Sequence, residues 1–189
     1  MKIMNIFFCV VVEFIFYTTA AKLPLLNPIR HEARVTDVHV TFNKSFFEYL
    51  IIDYKQFYDI QYFQLHSMAV SKVFPYRMRV EVIKCKEHFI DCANHRSFDI
   101  TNICDKVEVV MLFAVIDYKN QEVKCPLKGE YILKNMTLSS KSYSTLFAPT
   151  ESWWKNAYNL LIEVFDEMNS QLGSFSTSFY YLTYRSKKN

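Results

Sequence analysis

Along most of this 189-residue chain, apolar and polar positions alternate with a period of two, the spacing of a half-buried strand. Val38, Val40 and Phe42 alternate with His39 and Thr41. Residues 46–54 form a dense apolar and aromatic run, followed by a looser segment at 58–73. The clearest strand spans 76–85: Tyr76, Met78, Val80 and Val82 share one face, while Arg77, Arg79 and Glu81 take the other. Pro75 stands just ahead of it, where no ladder hydrogen bond is yet required. Residues 131–138 predict another strand, and 157–165 with 171–184 predict a hairpin joined through 166–170. The departure is 101–114, where Ile103, Val107, Val110, Met111 and Ala114 recur at helical spacing behind Asp99 or Thr101 as caps. Its β-branched residues also permit a strand. Strands at this density with one short helix predict an all-β, antiparallel two-sheet protein.

Composition sharpens that picture. There are 17 Phe and 13 Tyr but only two glycines, which suits strands with a large apolar interior. Residues 1–20 read as a signal peptide: Lys2 precedes an apolar run at 3–17, and Thr18, Thr19, Ala20 and Ala21 supply a cleavage region. Glu13 interrupts the run, which is shorter than the ~20 apolar residues that span a bilayer, so a membrane anchor is the weaker reading. Residues 21–189 then form one domain with enough chain to bury a core. The net charge of +3 is unchanged once Lys2 and Glu13 leave, and it is scattered. That excludes a nucleic-acid partner as an expectation. Only the tail, with Arg185, Lys187 and Lys188, is locally basic.

Cys9 departs with the signal, leaving Cys85, Cys92, Cys104 and Cys125. An even number of thiols in an oxidising compartment predicts two disulfides and a secreted protein. Two sequons, beginning at Asn43 and Asn135, are candidate glycosylation sites in that compartment. Cys85, His88, Cys92 and His95 could also be read as zinc ligands, but their spacing falls outside the common structural patterns. No Gly-x-Ser-x-Gly or His-Glu-x-x-His motif is present, and His31, His39 and His66 stand alone in the sequence. The expectation is a protein that is not an enzyme and has no metal and no cofactor.

Cys125-Pro126-Leu127-Lys128-Gly129-Glu130-Tyr131 resembles the Cys-Pro-x-Lys…Gly-x-Tyr signature of the ML (lipid-recognition) superfamily, in its ganglioside-activator branch. Other features run in the same order as in the activator: the Cys85/Cys92 spacing, Cys104 ahead of Cys125, Ser152-Trp153-Trp154, Tyr158, Ile162-Glu163 and Leu172-Gly173-Ser174. The likeness covers roughly residues 76–184. Closest in style are the secreted chemosensory proteins of insects in this branch. Two departures stand out: the signature is one residue shorter before Gly129, and Ser174 replaces a cysteine of the activator. Ganglioside specificity and docking to a glycosidase are therefore not carried over.

The resemblance implies disulfides Cys85–Cys92 and Cys104–Cys125, and a cup of two sheets that stand apart to enclose an apolar cavity. Burying an acyl chain there yields about 0.8 kcal/mol per CH₂, which suits a carrier that performs no chemistry. Candidate cavity residues on the best-patterned strands are Met78, Val80, Val82, Tyr131 and Leu133, with Tyr158, Leu160, Ile162, Phe175 and Phe179 from the closing hairpin. A one-residue slip would invert this assignment, and each residue could equally be ordinary core. Leu146, Phe147, Trp153 and Trp154 lie in a connection that in the activator rims the cavity and meets membranes; they could instead fold back as a lid. The function this implies is a secreted carrier for a lipid or other hydrophobic ligand, in chemosensory perception of a pheromone or hydrocarbon. A membrane surface or a sensory receptor would be its partner. The alternatives are a receptor-interaction protein with a closed core, and a hydrolase without a recognisable motif. A deep apolar pocket, a filled interior with exposed tryptophans, or a polar cleft would separate the three.

Overall fold

The computed structural model describes residues 29–58, 60–111, 114–138 and 152–185. The signal segment, Leu146 and Phe147 lie outside the described residues. Residues His31–Leu182 form one compact unit; Met1–Arg30 with Thr183–Asn189 form a second, whose described residues are the first of β1 and the last of β10.

Among the described residues ten strands follow in chain order: β1 (Ile29–Phe42), β2 (Phe47–Phe57), β3 (Ile60–Val73), β4 (Arg77–Lys86), β5 (Ile90–Thr101), β6 (Ala114–Val115), β7 (Tyr118–Lys119), β8 (Leu127–Leu138), β9 (Ala157–Phe165) and β10 (Gln171–Arg185). They make two antiparallel sheets, ordered β1-β10-β9-β4-β5 and β2-β3-β8-β6, with β7 also pairing β8. The expected two-sheet, all-β fold is what the chain adopts. A 3₁₀ turn at Ile103–Lys106 and the five-residue helix α1 (Val107–Met111) occupy the centre of the predicted 101–114 helix. At the ends of that segment Thr101 closes β5 and Ala114 opens β6.

Turn chemistry sets the hairpin corners. Asn43 Oδ1 accepts from Ser45 N at 3.0 Å, while the Asn43 carbonyl accepts from Phe46 N and Phe47 N, so one asparagine reverses the chain between β1 and β2. Between β9 and β10, Asp166 Oδ1 accepts from Ser170 N at 2.7 Å, and Asn169 holds a left-handed φ of 62° that asparagine tolerates.

The core sits between the sheets. Val35 of β1, Phe63 of β3, Val80 and Val82 of β4, Tyr158 and Leu160 of β9, and Phe179 and Tyr181 of β10 form one buried cluster. A second cluster joins Phe47, Ala69 and Val73 to Leu172. On the opposite face of β4, Arg77 and Arg79 pair with Asp99 at 3.2 and 3.5 Å, and the Arg77 guanidinium lies 4.5 Å above the Phe165 ring. The alternation read at Met78, Val80 and Val82 is therefore realised, apolar to the core with the charges on the other face, whereas Tyr76, read onto the apolar face, precedes β4 and is exposed.

Two disulfides, Cys85–Cys92 and Cys104–Cys125, are formed. The first ties the turn between β4 and β5. The second links the 3₁₀ turn after β5, in one sheet, to the lead-in of β8 in the other. Both sulfurs of the zinc reading are therefore spent in a disulfide. Disulfides of this kind are consistent with an extracellular protein.

Candidate functional site

The space between the sheets is not completely filled. One cavity of about 130 Å³ is walled by Ala33, Val35, Leu160, Thr177 and Phe179 of one sheet and by Ile52, Phe63 and Met136 of the other. A second, of about 220 Å³, lies toward Val40, Phe47, Val73, Leu127, Ile162 and Leu172. Ile52 and Phe175 line both. These positions converge because alternate residues of a strand share one face, here mostly apolar and turned toward the facing sheet.

Among the described residues, neither lining contains a titratable side chain. Its hydroxyls are already engaged: Thr177 Oγ1 donates to the Asp37 carbonyl at 2.8 Å, and the Thr41 and Ser174 hydroxyls bond each other at 2.7 Å. The site can take up apolar surface. Along its described walls it offers a ligand no charge and, beyond these bonds, only the one O–H that the Thr41–Ser174 pair leaves over.

Of the ten predicted cavity residues, Leu160, Ile162, Phe175 and Phe179 line these two cavities. Val80, Val82 and Tyr158 are packed solid in the core, with Met78 against them. Tyr131 and Leu133 are buried without bordering either cavity. The sequence reading missed Val35, Ile52, Phe63 and Met136. Ile52 sits in the run 46–54, where Ile51 beside it is just as apolar, so alternation could not say which faced inward. Ile51 is in fact 49% exposed.

Trp153 and Trp154 lie in a 3₁₀ turn that follows Ser152, a residue with φ 64°. Both indoles are half-buried and pack against the core cluster. Trp153 meets Tyr181 edge-on at 4.5 Å, Trp154 stacks on His31 at 4.4 Å, and the Tyr158 hydroxyl donates to the Trp153 carbonyl at 2.9 Å. Burial pushes the His31 imidazole below, and the Tyr158 phenol above, their ordinary ranges. The tryptophans therefore fold back onto the core. Beside them, a surface cleft of about 770 Å³ runs between Glu87, His88 and Phe89 and the Trp154, Asn156 and Tyr180 side.

A polar constellation that the sequence left scattered lies on the opposite face of β2, β3 and β8 from Ile52 and Phe63. The Glu130 carboxylate accepts from Tyr49 Oη at 3.0 Å and lies 2.8 Å from His66 Nε2. Those bonds, His66 first and then Tyr49, hold Glu130 below the usual carboxylate range. Desolvation first, then the bond to Glu130, holds the Tyr49 phenol above its own range. The trio is a structural tie between three strands.

The two sequon asparagines differ in setting. Asn43 Nδ2 donates to the Gln171 carbonyl at 3.3 Å, whereas Asn135 is exposed at φ 52° with its Nδ2 donating to Asp117 at 3.1 Å. No family model and no curated protein matches this chain.

Proposed function

We propose that this chain is a secreted binding protein that carries a hydrophobic ligand between its two sheets, without chemistry of its own. The observation that carries this reading is the incompletely filled interior: two cavities with apolar walls between the sheets. Natural interiors seldom keep such space without use, and an apolar pocket with few polar groups is the ordinary form of a small-molecule site. The Cys-Pro-x-Lys-Gly-x-Tyr resemblance supports it, as does a pair of disulfides suited to an oxidising compartment. A role in presenting a pheromone or hydrocarbon cue to a sensory receptor extends the same reading by resemblance alone.

Native mass spectrometry of protein secreted from eukaryotic cells, with organic extraction of whatever is bound, tests the proposal. A defined apolar compound at a fixed stoichiometry is the expected result. Protein that emerges empty and takes up no added hydrocarbon or alcohol would sink it.

A second reading is favoured by one observation. Phe57 and Tyr58, at the tip of the β2–β3 hairpin, are 64% and 83% exposed, with Ile60 beside them at 45%. An apolar tip of that kind suits direct contact with a receptor.

A further inference from the structure

The two cavities between the sheets share a wall built from opposite sides. Ile52 reaches in from β2, and Phe175 reaches in from β10, where it stands opposite Ile162 of β9. Each cavity by itself is small. A dry apolar cavity of about 150 Å³ accommodates benzene, while pockets for larger ligands begin near ~300 Å³. At about 130 and 220 Å³, each space takes a ring or a few carbons. A long chain must pass the Ile52–Phe175 divider to use both.

Charge is excluded on separate grounds. An ionised carboxylate between these walls would find, among the described residues, no cationic side chain in either lining and only the one O–H that the Thr41–Ser174 pair leaves over. Burying it unpaired is prohibitive.

We infer that Ile52 and Phe175 form a divider that restricts this protein to short, uncharged apolar ligands, with Phe175 setting the length accepted. This rests on the carrier reading above and adds to it a ligand class and the residue that selects within it. The divider works by volume alone. Removing the Phe175 ring joins the two spaces, and removing the Ile52 side chain breaches the same wall from the other sheet.

The experiment uses the full mature chain, a displaceable fluorescent probe, and hexanol, octanol, decanol and tetradecanol beside their carboxylates. Wild-type protein is expected to prefer octanol over tetradecanol, and each alcohol over its carboxylate at neutral pH, by about tenfold or more. Phe175→Ala is expected to shift the octanol-to-tetradecanol ratio toward the longer chain by about tenfold, while Phe175→Leu moves it only slightly. If Phe175→Ala does not fold, judged by circular dichroism, the ratio in Ile52→Ala decides. Binding of none of the alcohols by any form overturns the carrier reading itself. Binding with equal affinity across chain lengths, unchanged in the variants, overturns the divider and leaves the carrier reading standing. Carboxylates bound as tightly as alcohols overturn the restriction to uncharged ligands.

Discussion

Glu130 shows how much of a residue's behaviour comes from neighbours distant in sequence. It belongs to the segment that resembles the lipid-recognition signature, yet its partners, His66 and Tyr49, lie 64 and 81 residues away. Their hydrogen bonds lower its pKa in the folded state. A carboxyl whose folded pKa lies below its unfolded value stabilises the fold above the unfolded pKa, and that contribution fades as pH falls through the lowered one. The window is therefore the acid side, at and below the ordinary carboxylate pKa of 4.5. Glu130→Gln should lose less melting temperature than wild type between about pH 6 and about pH 3; parallel losses in the two proteins would show that the trio contributes nothing. None of this was legible in the chain, where His66 reads as a lone histidine. Only β-pairing at Ile51↔His66 and Met68↔Glu130 brings the three side chains onto one face.

Among the elements, those with an uninterrupted pattern were read correctly and those without one were missed. The hairpin of β9 and β10 and the faces of β4 follow directly from period-two alternation. β5 was not foreseen: nine of its twelve residues from Ile90 onward are exposed, and its sequence is largely polar. That is how an edge strand is kept from pairing with other chains, and it erases the alternation that would announce a strand. Gly173 is a second case, quoted in the resemblance but without a physical role until β1 and β10 lie side by side. A Cβ on Gly173 would sit 2.8 Å from the Thr41 carbonyl oxygen and 3.5 Å from Phe42 Cα. Both are backbone atoms and can move only with their strand. Gly173→Ala should therefore cost about 1–3 kcal/mol, a loss of about 2–4 °C in melting temperature for each kcal/mol. A scanning calorimeter would detect this, and an unchanged midpoint would mean that the two strands have slack.

At the scale of the whole molecule, one amide joins the sheets at an edge. Gln61 of β3 is buried; its Oε1 accepts from Val35 N at 2.8 Å and its Nε2 donates to Val35 O at 2.9 Å. A side chain from one sheet thus pairs with the outer strand of the other as a neighbouring strand would, satisfying groups that cannot be left bare in the interior. Gln61→Met keeps the length and removes both bonds. It should destabilise the protein by about 1–3 kcal/mol for each buried group left unpaired, seen as a lower urea midpoint; a midpoint equal to wild type would mean that water replaces the amide. The sequence by itself determined the fold class, the closing hairpin and the number of cysteines available to cross-link, because alternation, turn residues and counts are local properties. The resemblance added which cysteines pair. Tertiary structure alone decided which apolar residues fill the core and which border empty space. Val82 and Leu160 look alike in sequence, yet only Leu160 lines a cavity. It also divided that space between Ile52 and Phe175. Periodicity specifies the face a side chain takes; whether another atom meets it there depends on the distance between two sheets, which no local pattern encodes.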